Sequence, residues 1–97
     1  MKILFIGDIV GKPGRRALRS FLRQSQEEHN VMLTIANGEN SAGGFGITNS
    51  VADELFQSGI DVITTGNHVW DKREALSLLP KENRILRPLN YPPGTPG

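Results

Sequence analysis

Residues 60–71 read IDVITTGNHVWD, and this stretch decides how the rest of the chain is interpreted. The apolar run from Ile60 to Thr64 predicts a short buried strand. Gly66-Asn67-His68 follows at the point where that strand ends. Asn67 alone is an ordinary turn former, and a lone histidine is more often packed than catalytic. The triplet therefore marks either a local turn or a site into which both side chains reach. The residues that follow the other predicted strands distinguish these two interpretations.

The same unit, an apolar run followed by glycine and polar residues, occurs twice upstream. Lys2–Ile6 ends at Gly7-Asp8, Val31–Ala36 ends at Asn37, and a fourth short strand is predicted over Arg84–Leu86. Apolar residues at helical spacing predict three intervening helices, at Ala17, Leu18, Phe21 and Leu22, at Val51, Ala52, Leu55 and Phe56, and at Ala75, Leu76 and Leu79. This β-α-β-α-β-α-β order predicts an α/β fold with a mainly parallel sheet and right-handed crossovers.

The ends of the helices are predicted from capping and breaking residues. Helix one is expected to have Pro13 in its first turn and to end near His29-Asn30. Thr48, Asn49 and Ser50 are the candidate N-caps of helix two, Ser50 with Asp53 resembles a capping box, and Gly59 ends the helix. Asp71 is the expected cap of helix three and Pro80 its stop. The proline-rich tail, RPLNYPPGTPG at residues 87–97, predicts an extended loop.

Composition excludes several classes of protein. The chain has 97 residues, a formal net charge of +1 and no cysteine. Charge alone therefore implies neither a nucleic-acid groove nor a membrane surface, and no disulfide or thiolate metal site can form. The N-terminal apolar run is too short for a signal peptide or a membrane span, so we expect a cytoplasmic protein.

The predicted helices are too few to cover both faces of the sheet, although parallel sheets normally have both faces covered. We therefore expect residues 1–97 to be the N-terminal part of a single larger domain, and the chain to be truncated relative to it.

Polar side chains recur at the ends of three successive predicted strands. Asp8 follows strand one, Glu39 and Asn40 follow strand two, and Asn67 and His68 follow strand three. Each has a structural explanation by itself, such as a helix cap for Asp8 or a turn for Asn40. Ligands of open α/β sheets bind at the carboxyl ends of the strands, where these side chains converge. Four of the five offer oxygen ligands, which suit a divalent cation such as Mn²⁺ or Fe²⁺.

The motifs that contain these residues are similar to those of a known family. Gly7-Asp8, Gly38-Glu39-Asn40 and Gly66-Asn67-His68 resemble the calcineurin-like metallophosphoesterases. Val10 replaces a histidine of the first motif, Glu39 the aspartate of the second, and Val69 an acid of the third, and these three departures match the YmdB-like phosphodiesterase branch. The stretches G-D-I-V-G, N-G-E-N and G-N-H-x-W-D of that branch stand here at residues 7–11, 37–40 and 66–71. The resemblance covers essentially all 97 residues but only the front part of the family's domain, because its later histidine ligands are absent.

The resemblance implies a fold, a reaction and a role for each residue. The chain would form the first part of a four-layer α/β/β/α sandwich. The protein would hydrolyse phosphodiesters, including 2′,3′-cyclic nucleotides, with hydroxide activated by two divalent metal ions, iron or manganese. Asp8 and Asn40 would bind the first metal, Glu39 would bridge both, Asn67 would bind the second, and His68 would protonate the leaving group.

The resemblance also sets expectations for partners and for the fragment. A small phosphodiester or cyclic nucleotide is the expected substrate, no membrane is expected, and a homo-oligomer is compatible with the sequence. Residues 1–97 alone are expected to be inactive. They are also expected to self-associate, because a sheet covered on one face would leave apolar strand residues without partners, such as Leu4, Ile6, Leu33, Ile35 or Ile63.

Three other classes of protein compete with the enzyme. The first is a nucleotide-binding module. The spacing of Gly7, Gly11 and Gly14 argues against it, because it matches neither the dinucleotide-binding fingerprint nor the P-loop. A Gly-Asp-Ser hydrolase is excluded because Ile9 occupies the position of the nucleophile. A non-catalytic scaffold or signalling protein that retains the fold stays open, and metal analysis would separate it from the enzyme.

Overall fold

A computed structural model describes all 97 residues and confirms the α/β class. Its elements are β1 (Ile3–Ile6), α1 (Gly11–Glu28), β2 (Leu33–Asn37), α2 (Asn49–Ser58), β3 (Val62–Thr64), a 3₁₀ helix (Asn67–Asp71), α3 (Ala75–Lys81) and β4 (Ile85–Leu86). The four strands form one sheet in the order β1-β2-β3-β4, and all three strand pairs are parallel. The predicted parallel sheet is therefore confirmed.

The hydrophobic core lies on one face of the sheet. Because the strands are in sequential order, right-handed crossovers place the three helices on the same side. Leu22 of α1 and Leu55 of α2 are almost fully buried there, against Ala36 and Ile63 of the strands. This layer of helices holds the carboxyl ends of the strands, and the loops that follow them, along one edge.

The opposite face of the sheet is largely uncovered. The register aligns Phe5 with Ile35 and Ile35 with Val62, so these three side chains form an apolar row across the sheet. Phe5 is 60% exposed. The expectation that strand one is buried is therefore wrong for one of its faces.

The residues that lack cover differ in part from those expected. Leu33 and Ile35 do lie on the uncovered face. Leu4, Ile6 and Ile63 were also expected to lack partners, but the first two pack against the core and Ile63 is fully buried. The alternation of side chains along a strand explains the difference, because neighbouring residues point to opposite faces.

The ends of α1 and α2 largely follow the predicted signals. His29 is the C-cap of α1, and Gly59 ends α2 in a left-handed conformation with φ of 117°. The capping box of Ser50 with Asp53 is wrong, because Thr48 is the N-cap and its hydroxyl accepts from the Val51 N–H at 3.3 Å. None of the helices combines the length and apolar character needed to cross a lipid bilayer.

The third helix begins and ends later than predicted. Asp71 does not cap it, because Asp71 ends the preceding 3₁₀ helix and its carboxylate is engaged by His68. Pro80 does not stop it either, since α3 continues to Lys81. A proline in the last turn removes one backbone donor only, and the Glu82 N–H still donates to the Leu78 carbonyl at 3.0 Å.

Residues 87–97 contain no helix or strand, as predicted for the proline-rich tail. Arg87 holds this segment in place, since its Nε donates to the Thr95 carbonyl at 3.0 Å.

Candidate functional site

The loops that follow β1, β2 and β3 contact one another at the carboxyl edge of the sheet. The Ile9 N–H donates to the Asn37 carbonyl at 3.1 Å, and the Gly38 N–H donates to the Thr64 carbonyl at 2.9 Å. These bonds join the first loop to the second and the second to the end of β3. The side chains carried by the three loops are thereby held within a small region.

Asp8 and Asn40 form a direct pair across the ends of β1 and β2. The Asn40 Nδ2 donates to both carboxylate oxygens of Asp8, at 3.1 Å each. The backbone supports this pair, because the Gly11 N–H donates to the Asn40 carbonyl at 3.0 Å. Two residues predicted to share a site are therefore in contact.

Glu39 lies against the turn that carries His68. Its Oε2 accepts from the His68 N–H at 3.3 Å. On the other side Asn37 orients it, because the Glu39 N–H donates to Asn37 Oδ1 at 3.2 Å and Asn37 Nδ2 donates to Glu39 Oε1 at 3.4 Å. Asn37 is not among the predicted site residues, although it belongs to the N-G-E-N motif.

The carboxylate of Glu39 occupies the space that a side chain at residue 66 would take. A Cβ atom at Gly66 would lie 2.5 Å from Glu39 Oε1 and 2.7 Å from its Cδ. The backbone of Gly66 is extended, with φ of −149°, so its conformation does not require glycine. The close approach of the carboxylate is what requires it.

His68 is paired with Asp71, one turn further along the 3₁₀ helix. The His68 Nδ1 and Asp71 Oδ2 are 2.9 Å apart. This hydrogen bond raises the pKa of His68, desolvation opposes the rise, and the charges of Asp71, Glu39 and Asp8 add to it. With Nδ1 engaged, the Nε2 of the half-exposed ring is the nitrogen left for other partners.

Sequence reasoning missed Asp71 as a functional partner of His68. A 3₁₀ helix has three residues per turn, so residues i and i+3 eclipse and the acid comes to the same side as the imidazole. The G-N-H-x-W-D spacing contained this signal, but Asp71 was interpreted as a helix cap.

Asn67 is the one predicted site residue without a partner. It is exposed, and its carboxamide forms no hydrogen bond. The structure thus joins Asp8 with Asn40, and Glu39 with the His68 backbone, but does not join the Asn67 side chain to either pair.

The donor set fits part of a divalent-cation site. Two carboxylates and two carboxamides supply hard oxygen atoms, the type that Mn²⁺ and Mg²⁺ prefer. Only Asp8 and Asn40 of these four contact each other directly, and no three histidine, cysteine or acidic side chains lie close enough together to hold a metal ion. These residues match the chemistry of a metal site but supply only some of its ligands.

Comparison with known proteins gives a consistent family match. A model of the family described as YmdB-like protein matches residues 4–97. A 2′,3′-cyclic-nucleotide 2′-phosphodiesterase of Bacillus subtilis (strain 168) is 45% identical over 97 residues, which is all of this chain and 37% of that protein.

Two crystal structures have the same fold over this region. A hypothetical protein of Thermus thermophilus is 44% identical with a TM-score of 0.90, over 100% of this chain and 37% of its own. A novel phosphatase of Mycoplasma pneumoniae is 33% identical with a TM-score of 0.90, over 95% of this chain and 33% of its own. The chain therefore spans about a third of the length of the proteins that it matches.

Proposed function

Because this chain belongs to the YmdB-like protein family, we propose that the whole protein is a metal-dependent phosphodiesterase, with 2′,3′-cyclic nucleotides among its substrates. The observation that carries the proposal is the meeting of Asp8 with Asn40, and of Glu39 with the His68 turn, at one edge of the sheet. The Bacillus relative, a 2′,3′-cyclic-nucleotide 2′-phosphodiesterase that is 45% identical over the whole of this chain, supports the choice of substrate.

The proposed metal ligands are Asp8, Glu39, Asn40 and Asn67, with Glu39 shared between two ions of iron or manganese. Ions held there would supply the positive charge that polarises a phosphoryl oxygen and lowers the pKa of a bound water. Of the four residues, Asp8 and Glu39 bring the negative charge that offsets the repulsion between two cations. Asn40 and Asn67 are neutral, so they would bind without reducing that positive charge further.

His68 is proposed to protonate the leaving oxygen. Its Nδ1 is held by Asp71, which fixes the orientation of the ring and favours the charged imidazolium. The Nε2–H of that imidazolium is then the proton to be donated. Proton donation by a positioned side chain typically contributes about 10²–10⁴-fold to a rate.

The proposal is tested by separating the role of Asn67 from that of His68 in the full-length protein. Asn67→Ala is expected to lower metal content, measured by elemental analysis. His68→Ala is expected to keep the metals and to lose turnover of 2′,3′-cyclic nucleotides by about 10²–10⁴-fold. Activated aryl phosphodiesters need less protonation of the leaving group, so their hydrolysis should fall much less.

Two results would contradict the proposal. Equal losses on both substrate types in His68→Ala would remove the acid role. A wild-type protein that binds no metal and hydrolyses neither substrate would favour the non-catalytic scaffold.

A further inference from the structure

Helix α1 carries a stripe of cations along one of its faces. Lys12, Arg16, Arg19 and Arg23 follow the i, i+4, i+7, i+11 spacing that places residues on the same side of a helix. All four are exposed. At a rise of 1.5 Å per residue the stripe is about 16 Å long.

The stripe is poorly compensated by acidic side chains. Only Arg19 forms an ion pair, with Glu54 Oε2 of α2 at 2.6 Å, and Arg15 takes the same oxygen at 3.0 Å. Lys12, Arg16 and Arg23 form none. Solvated helices normally intersperse acids at i±4, whereas α1 contains no acid from residue 11 to residue 26. Glu27, one turn beyond Arg23, marks the end of the stripe.

A cavity of about 300 Å³ opens beside the far end of the stripe, between α1 and α2. It is lined by Arg19, Arg23, Glu54, Gln57 and Ser58, and no hydrophobic side chain contributes. Two guanidinium groups face one carboxylate there. A polar cavity with excess positive charge suits an anion with several hydrogen-bond acceptors, such as a phosphate group.

The near end of the stripe begins at the candidate site. Lys12 follows Gly11, whose N–H donates to the carbonyl of Asn40, and Asn40 in turn donates to Asp8. The neighbouring Arg15 reaches the same loop, because its Nη1 donates to the Ser41 carbonyl. The cations therefore lead from the candidate site along the exposed face of α1 to the cavity between α1 and α2.

We infer that this stripe binds the backbone phosphates of a single-stranded RNA whose 3′ end lies in the candidate site. Resting on the proposed function, this makes the preferred substrate an oligonucleotide that ends in a 2′,3′-cyclic phosphate, with the mononucleotide as its shortest form. Four cations spread over about 16 Å of helix can contact a few consecutive backbone phosphates of a single strand. Arginine is suited to this contact, because its planar fork pairs with phosphate through two hydrogen bonds.

The binding test is independent of catalysis. The probe is a fluorescein-labelled 12-nucleotide RNA with a free 3′ hydroxyl, titrated with the full-length protein while anisotropy is followed from 50 to 200 mM salt. The variant is R16Q/R23Q, which removes two unpaired cations of α1, and the matched control is K2Q/K81Q, which removes two cations that lie outside α1. Glutamine and arginine have similar helix propensities, so α1 should be kept.

R16Q/R23Q is expected to weaken RNA binding. The slope of the log of the association constant against log salt concentration should become less steep by about 1.4, at about 0.7 for each of the two lost phosphate contacts. The control should follow the wild type. An unchanged slope in R16Q/R23Q, an equal effect in the control, or binding to anionic vesicles in preference to RNA would overturn the inference.

The second readout compares substrates. R16Q/R23Q should lower kcat/KM for oligonucleotides ending in a 2′,3′-cyclic phosphate and leave that for 2′,3′-cyclic mononucleotides unchanged. Equal losses on both would overturn the inference while leaving the proposed function intact. RNA binding by a wild-type protein that hydrolyses neither substrate would instead overturn the proposed function, because anisotropy reports binding and does not require turnover.

Discussion

At the scale of single residues, the candidate site depends on the absence of a side chain at Gly66 as well as on Glu39 itself. The carboxylate occupies the space that a Cβ would take, and Asn37 and the His68 N–H hold it there. Such supporting contacts orient a ligand before any metal binds, and their loss typically costs about 10–100-fold in metal affinity.

Gly66→Ala is therefore expected to lower metal affinity about 10–100-fold in the full-length protein, because its Cβ would displace the Glu39 carboxylate. Metal titration monitored by calorimetry would measure this. Gly7→Ala is the matched control, since no atom lies within 4 Å of its added Cβ and Gly7 has no positive φ. Equal affinity in the Gly66 variant and the wild type would mean that Glu39 binds no metal.

The candidate residues were predictable from sequence because each follows a strand, whereas Asp71 and Asn37, which contact His68 and Glu39, were not. Asp8, Glu39 and His68 were placed by the order of strands in a parallel sheet. The pairing of His68 with Asp71 depends on a 3₁₀ helix, and five residues between two predicted elements carry no periodic signal for it. The free carboxamide of Asn67 equally depends on the geometry of that turn.

At the scale of elements, hydrophobic spacing predicted where the helices lie along the chain. It did not predict the first residue of α2, because several neighbouring side chains can cap a helix there. Thr48, Asn49 and Ser50 all offered a cap, and sequence rules favoured Ser50 because Asp53 stands three residues later. In the structure the N-cap is Thr48, because its backbone is extended, with φ of −119°, whereas Asn49 and Ser50 are already helical. The observed strand ends differ from the predicted ones by one or two residues. The ends of a strand are defined by its hydrogen bonds to a neighbouring strand, which hydrophobic spacing does not show.

Thr48→Ala should lower the free energy of unfolding by about 1 kcal/mol, because the Val51 N–H loses its acceptor. Ser50→Ala should change it by less than about 0.5 kcal/mol, as is usual for an exposed position outside a cap. Urea denaturation of the two variants beside the wild type measures both. A larger loss of unfolding free energy in Ser50→Ala than in Thr48→Ala would mean that Ser50, and not Thr48, caps α2.

At the scale of the whole molecule, the sheet has one covered and one uncovered face. The expectation of single-sided cover came from counting helices, and the structure agrees with it. Which side chains would be left uncovered was only partly predictable, because a shift of one residue in the register exchanges the two faces. Phe5, Ile35 and Val62 form the uncovered row, and contiguous apolar patches of this kind favour association.

Residues 1–97 produced alone are expected to self-associate through this face, as shown by a mass above 10.6 kDa in multi-angle light scattering. Phe5→Lys places a charge within the row and should shift the chain towards the monomer. Leu89→Lys is the control, because Leu89 is 94% exposed but lies in the tail. A monomeric wild-type fragment, or an equal response to both substitutions, would contradict the role of the sheet face.

The sequential order of the strands also has a consequence for how the protein is made. Ile3 pairs with Leu33, Ile35 with Val62, and Ile63 with Ile85, so every strand joins the one synthesised just before it. No strand must wait for a distant segment to leave the ribosome, and the loop that each pairing closes is about one βα unit long. We therefore expect the sheet to grow in the direction of translation, one strand at a time, with the newest strand always at its edge.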